Sequence, residues 1–275
     1  MELSDENLLK IQSTAREILT VIDRVCKEAG TPWYLFYGSA LGAVRHGGFI
    51  PWDDDADIIM FRADYEKLRA YWLAHPVEGY FFQDIFTDPG YNIKITKIRK
   101  DNTAFVEPYV KDRKMHHGLF VDIFVLDDYV KSPFWRRVGE YITMFDYNSV
   151  RSYKADNRLG KIVYPVTNVL FRGGHIYNFW YKHIFPKLKK DEGMCSDIAS
   201  FTNSKKYDFR KEWFGEPKYV PFDDCSFPIP QDAASVLTSC YGDFMTPPPP
   251  EKQKGHHNFH KLSFTEGYLP GEPSD

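Results

Sequence analysis

The sequence predicts an α+β fold, a mixed sheet flanked by helices and carrying an irregular helical insertion, and three observations predict it. The chain opens on a long amphipathic helical pattern. It continues with short apolar runs that alternate with helical segments and with glycine or proline breaks. It then passes through an aromatic, basic stretch with no clean period. At 275 residues, 43% hydrophobic and 27% charged, the chain can bury a full core. We expect one domain over 1–275, with its core at about 1–130 and 200–275 and the insertion at about 131–200.

The first element is a helix with Ser4 as N-cap and Leu8, Ile11, Ala15, Ile18, Ile22 and Val25 on one face, ended by Gly30 and Pro32. Trp33 to Tyr37 is an aromatic run suited to a buried strand; Gly38-Ser39 turns the chain into a short helix, Ala40 to His46, which Gly47-Gly48 stops. After Asp53-Asp54-Asp55, residues Ala56 to Phe61 read as a second strand, and Tyr65 to Ala74 as a helix with Tyr65, Leu68 and Trp72 on one side. Ile93 to Ile98 and Leu119 to Leu126 are further strands, and Phe134 to Lys190 is the irregular helical insertion. Asp232 to Tyr241 forms a last short helix, which Gly242-Asp243 and the prolines Pro247 to Pro250 cannot continue.

Charge and cysteine usage narrow the classes. A net charge of −3 and a pI near 6.3 argue against a nucleic-acid partner. The balance is uneven: Lys131 to Lys190 holds 12 Lys or Arg against 3 acidic residues, about +9 against about −12 for the remainder. Cys26, Cys195, Cys225 and Cys240 lack CxxC spacing, and Ser4-Asp5-Glu6 is no signal-peptide start, so neither export nor a zinc cluster is expected. No run approaches a membrane span, and we expect a cytoplasmic protein, peripheral at most at the inner face of the membrane.

The chemistry concentrates between Phe36 and Ile58. A glycine-serine turn at a helix N-terminus presents backbone N–H groups and a hydroxyl that suit a phosphate oxygen. The Asp-x-Asp of Asp55 and Asp57 follows on the next strand, where side chains two apart share a face, so the two can hold one cation. Four carboxylates within five positions repel one another unless a cation or solvent relieves them, and a hard ion such as Mg²⁺, or Mn²⁺, is the expected guest. Asp122 stands alone in the apolar run Leu119-Phe120-Val121-Asp122-Ile123-Phe124, where an ionised carboxylate requires a metal, a basic partner or a catalytic task. It would complete a metal site or take the proton of an attacking hydroxyl.

Together these runs, with Arg45-His46-Gly47-Gly48-Phe49-Ile50-Pro51-Trp52, Leu126-Asp127 and Tyr241-Gly242-Asp243 before the prolines, resemble the LicD family of the nucleotidyltransferase superfamily. Fukutin-related ribitol-phosphate transferases are more distant relatives. The resemblance covers nearly the whole chain, least at 131–200. It implies a nucleotidyltransferase-like fold and transfer of phosphocholine, or another phospho-alcohol, from a CDP-linked donor to a glycan or lipid-linked oligosaccharide, with release of CMP. It further implies that Gly38 and Ser39 cradle the donor phosphates, that Asp55 and Asp57 hold Mg²⁺ with Asp53 assisting, and that Asp122 is the third acidic position. Arg45 and Lys97 are our candidates for neutralising the transferred phosphoryl group. One departure is Val125-Leu126, where a proline and a loop are expected.

Blander readings stand beside these. Aspartate runs are often solvated loops, and Asp53, Asp55 and Asp57 have calcium-loop spacing, but Ile58 stands where that loop needs glycine and Asp64 where it needs glutamate. Asp122 could be a structural carboxylate paired with Arg99 or Lys94. His116-His117 and His256-His257 read as surface or loop histidines, although His256 or His257 follows the proline segment, and we place His256 at the acceptor cleft. Trp135, Arg136, Arg137, Phe179, Trp180 and the cluster from Lys187 to Lys190 would dock on an anionic membrane surface. Two other reactions use the same aspartates: transfer of a nucleotide to a small acceptor, and DxD-type glycosyl transfer. The second would leave the glycine-serine turn without a task.

Overall fold

The computed structural model describes residues 4–150, 158–197, 207–255 and 257–271. Helix α1 (Asp5–Ala29) begins where Ser4 Oγ accepts the Asn7 N–H at 3.3 Å and ends where Gly30 turns left-handed at φ 63°. Its buried stripe includes Ile18, Leu19 and Ile22, each 0% exposed. Full burial of each contributes roughly 1.5–3 kcal/mol. Helix α2 (Tyr37–His46) follows the two-residue strand β1 (Tyr34–Leu35), and strand β2 (Asp57–Phe61) leads into helix α3 (Arg62–Ala74).

Among the described residues the main sheet has seven strands. Strands β3 (Tyr80–Gln83), β4 (Thr96–Lys100) and β6 (Phe120–Val130) join β1 and β2 in the order β1-β2-β6-β4-β3. β2 and β6 run parallel with Asp57 opposite Asp122, whereas β4 runs antiparallel to β6 with Lys97 opposite Asp122. On one edge β6 is shared: β4 takes it as far as Ile123, and β7 (Lys190–Asp197) takes it from Leu126 onward, with β8 (Asp208–Arg210) beyond. Ile58 and Met60 face the core under α1, while Ile59 and Leu126 face a second core with Tyr34, Phe36 and Phe209. Strand alternation therefore puts Asp57 on the face opposite α1. Two small antiparallel pairs complete the frame, β9 (Lys218–Phe222) with β10 (Cys225–Ile229), and β5 (Ala104–Val106) with β11 (Lys261–Ser263).

Several expectations are corrected here. Gly38 and Ser39 form the first turn of α2 rather than a turn before it, because the backbone turns at Tyr37, with φ 41°. Asp53 and Asp54 precede the second strand as expected, but so do Asp55 and Ala56, since β2 gains its ladder only at Asp57. β6 continues through Val125-Leu126, so no loop exists for a proline to shape. The stretch from Phe134 to Lys190 is helical as expected, with α4 (Pro133–Val150), α5 (Arg158–Phe171) and α6 (His175–Phe179), and β7 rejoins the sheet at Lys190. His117 is a loop histidine as expected but not a surface one: it is buried at 3% exposure, its ring against Tyr268 and its Nε2 3.0 Å from the Arg113 carbonyl. The final helix, α7 (Ala233–Tyr241), starts as expected on Asp232, whose carboxylate accepts the Ser235 N–H.

Candidate active site

The site forms where α2 begins and β2 begins. Gly38 is glycine for a steric reason: a Cβ there would stand 2.5 Å from Asp53 Oδ2, so only a bare backbone lets the carboxylate lie against the helix N-terminus. Ser39, almost fully buried, accepts the Asp57 backbone N–H on its Oγ at 2.9 Å and so ties the helix start to the first residue of the strand. Helix geometry leaves the first-turn amides without intrahelical acceptors, and Tyr37 and Gly38 of that turn line the cleft. Asp53 itself is fixed by its backbone: its N–H donates to Ile50 O and its carbonyl accepts from Gln12 Nε2, both at 2.9 Å.

Carboxylate oxygens of Asp53, Asp54 and Asp55 lie within 4.8 Å of one another. Burial first, and then the charges of Asp55 and Asp54, push the Asp53 carboxyl well above the usual range. Asp57 is raised in the same way by burial and by the charges of Asp55, Asp122 and Asp53, with Lys97 opposing. A cluster that resists full ionisation in this way is relieved by a cation, and its donors are carboxylate oxygens only, with the described cysteines elsewhere. The donor set fits a hard divalent ion. Asp53, Asp55 and Asp57 reach the cleft; Asp54 turns away, its Oδ2 accepting the His257 N–H at 3.0 Å and its Oδ1 lying 3.1 Å from His257 Nδ1.

Asp122 stands one strand further in and is paired with a base. Lys97 Nζ donates to Asp122 Oδ1, and the same ammonium lies 3.4 Å over the Phe120 ring. The basic partner is thus Lys97, not Arg99 or Lys94: Arg99 donates to Gln83 and to the Gly118 carbonyl, and Lys94 lies 4.0 Å from Asp146. Lys97 is itself only 4% exposed and is held as the ion-pair partner of Asp122, behind the residues that line the cleft. Sheet register makes the pairing unavoidable, since β4 sets Lys97 directly opposite Asp122.

The aspartates open onto a cleft of about 900 Å3. Tyr37, Trp52, Tyr109, Tyr241 and Phe244 bring rings to it, and Arg45, Glu107 and Lys252 bring charge. Arg45 is held by a hydrogen bond from its Nη1 to the Phe244 carbonyl at 2.9 Å. It sits in the last turn of α2, roughly 10 Å along the helix from Gly38. His257 closes the cleft from the C-terminal segment. Burial opposes its charge, but its hydrogen bond to Asp54 and the charges of Asp55, Asp54 and Glu107 outweigh that and lift it to about 9.

Of the sequence-predicted residues, the structure brings together Gly38, Ser39, Asp53, Asp55 and Asp57, sets Asp122 beside Asp57, and places Arg45 further along the same cleft. His256 lies outside the described residues, and its neighbour His257 lines the wall. Glu107 and Tyr109 were missed. They follow a three-residue strand whose partner, β11, is some 150 residues away, so nothing local marks them. Gly255 carried a signal that went unread: a Cβ there would meet Asp54 Oδ2 at 2.5 Å.

Comparison with known proteins agrees with this geometry. A family model described as LicD/FKTN/FKRP, nucleotidyltransferase domain, matches residues 30–173, which include α2, the aspartate cluster and Asp122. The lipopolysaccharide cholinephosphotransferase LicD of Haemophilus influenzae is 27% identical over 256 residues, covering 90% of this chain and 94% of that protein. The ribitol 5-phosphate transferases FKRP of Homo sapiens and Mus musculus are 40% identical over 65 residues, 22% of this chain and 12% of theirs.

Proposed function

The chain belongs to the LicD/FKTN/FKRP family, and from that premise we propose that it is a phosphotransferase moving a phospho-alcohol, phosphocholine foremost, from a CDP-linked donor to a sugar hydroxyl of a glycan or glycolipid, with release of CMP. The observation that carries the reading is the coincidence of the α2 N-terminus with the Asp53, Asp55 and Asp57 carboxylates at one end of a single cleft. The helix start offers amides to a phosphate oxygen, and the carboxylates offer a cation site beside it.

Asp55 and Asp57, with Asp53 assisting, would hold Mg²⁺, which when bound neutralises charge on the phosphate oxygens. The remaining work falls to positioning. A sugar hydroxyl attacks the phosphorus bearing the alcohol, the bond to the CMP oxygen breaks in line, and the hydroxyl proton passes to a cleft carboxylate. Arg45, which shares the cleft with Gly38 and the aspartates, suits the transferred phosphoryl group, a second phosphate or an anionic acceptor. The aromatic walls support choline over a polyol, because a quaternary ammonium is attracted to ring faces.

The test is incubation with CDP-choline, CDP-ribitol and CDP-glycerol plus a glycan mixture, with Mg²⁺ or with chelator, following CMP and acceptor mass. Metal-dependent CMP together with a phospho-alcohol added to the acceptor is expected. A nucleotide added to the acceptor, or a UDP-sugar consumed without CMP, would assign one of the two alternative reactions.

A further inference from the structure

Helix α5 is inside out for a helix bathed in water. Leu159, Ile162, Val166, Val169 and Leu170 are exposed at 72, 70, 56, 74 and 58%, and their spacing puts them on one continuous stripe. The opposite side, turned to the protein, carries Gly160, Tyr164, Thr167, Asn168 and Phe171, all buried or half-buried. Polar Thr167 and Asn168 are sheltered while the aliphatic side chains are presented outward. Exposed apolar residues are ordinary when scattered, but five on one stripe are not.

The charges on the same helix say what covers that stripe. Arg158 and Lys161 on α5 and Arg172 just after it are exposed along one flank, and α5 contains no acidic residue. A helix with a broad apolar face and a basic margin has the character of one lying in the plane of an anionic lipid interface, its aliphatic side chains at the acyl boundary and its bases among the headgroup phosphates. A second copy of this chain would bring the same basic margin and no acid from α5 to meet it. At 14 residues the helix is too short to cross a bilayer, and no described helix is long and apolar enough to do so.

We propose that α5 is an in-plane anchor that docks the protein on an anionic lipid surface through this stripe and its basic margin. Of the surface the sequence suggested, Trp135, Arg137, Phe179, Lys187 and Lys189 are exposed, but three members are not. Trp180 is 4% exposed and packs in the core with Val130 and Phe185, Arg136 donates to Asp208 at 2.7 Å, and Lys190 donates to the Phe185 carbonyl, so none of these three is available to lipid.

The experiment is flotation of the full chain with phosphatidylcholine vesicles, with or without phosphatidylglycerol, at low and high salt, beside its mass in solution. The wild-type protein is expected to float with the anionic vesicles at low salt and to be released by salt. Ile162→Asp with Val169→Asp should stay at the bottom while keeping its circular dichroism. Lys161→Glu and Arg158→Glu should each weaken partition about fivefold or more, a reading that survives if the double aspartate variant does not fold. Wild-type protein that stays at the bottom with anionic vesicles at low salt overturns the proposal. So does a soluble dimer that the aspartate variant makes monomeric, which would assign the stripe to a second copy. The readout needs neither donor nor acceptor, so it stands or falls apart from the transferase reading.

Discussion

Replacing Gly38 by alanine separates the site from the fold. The added Cβ would stand 2.5 Å from Asp53 Oδ2. The backbone of Asp53 is held on both sides, so the carboxylate oxygen alone must retreat, by about 0.5 to 1 Å, to reach an ordinary contact. The helix gains from the change, since alanine is favoured over glycine by about 0.5–1 kcal/mol within a helix and by less in the first turn. Catalysis loses: a misplacement near 1 Å in a pre-organised site costs roughly a hundredfold, about 2.7 kcal/mol of barrier. Thermal unfolding followed by circular dichroism and CMP release under saturating Mg²⁺ should therefore move independently, the midpoint holding or rising while turnover falls. The same substitution in an Asp53→Ala background should cost much less, because the clash has lost its partner. Gly38→Ala with wild-type turnover would refute the argument, and so would an equal loss in both backgrounds.

Other expectations follow from the same geometry. Asp57→Asn should keep a cooperative unfolding transition yet abolish CMP release; an active variant would remove Asp57 from the chemistry. Millimolar Mg²⁺ should raise the melting temperature and chelator should reverse it, with the shift lost in Asp55→Asn/Asp57→Asn; equal shifts in that variant would move the ion elsewhere. Lys97→Met strands a buried carboxylate and should destabilise by roughly 3–5 kcal/mol in denaturant titration, while Lys97→Met/Asp122→Leu should recover much of that. Burial lifts Asp146 from 3.8 to about 6 against the weak pull of Lys94, so its protonated form is favoured in the fold. Its contribution is present below the unfolded value and fades as pH rises through about 6. This amounts to up to about 3 kcal/mol, which Asp146→Asn should flatten in a pH series of melting points.

How much was legible depended on whether a signal was local. Ser4 and Gly30 bounded α1 because capping is written in adjacent residues, and the stripe from Ile11 to Val25 repeats at helical spacing. The aspartate cluster was legible because four like charges cannot sit together without a reason. Setting Asp55 and Asp57 two apart on a strand reached a sound pairing through an imperfect picture: Asp55 precedes the strand, yet it lines the cleft with Asp57, while Asp54 turns away to His257. Long-range pairings were not legible. That Lys97 would meet Asp122 followed only from the register of β4 against β6, and β5, at three residues, offers too short a run for alternation to show. The inverted polarity of α5 was hidden for another reason, since periodicity reveals an apolar face but not which way it turns.

The clasp between Asp54 and His257 spans 203 positions of sequence. During synthesis the acidic cluster emerges well before the residue that receives Asp54, 203 positions further along. Between those moments the cleft lacks one wall, and a nascent chain still threaded through the ribosome exit tunnel holds its carboxylates without the backbone amide that later orients one of them. Closure of the cleft by His257 therefore waits until that residue has been made, and the pairing of β11 with β5 waits with it.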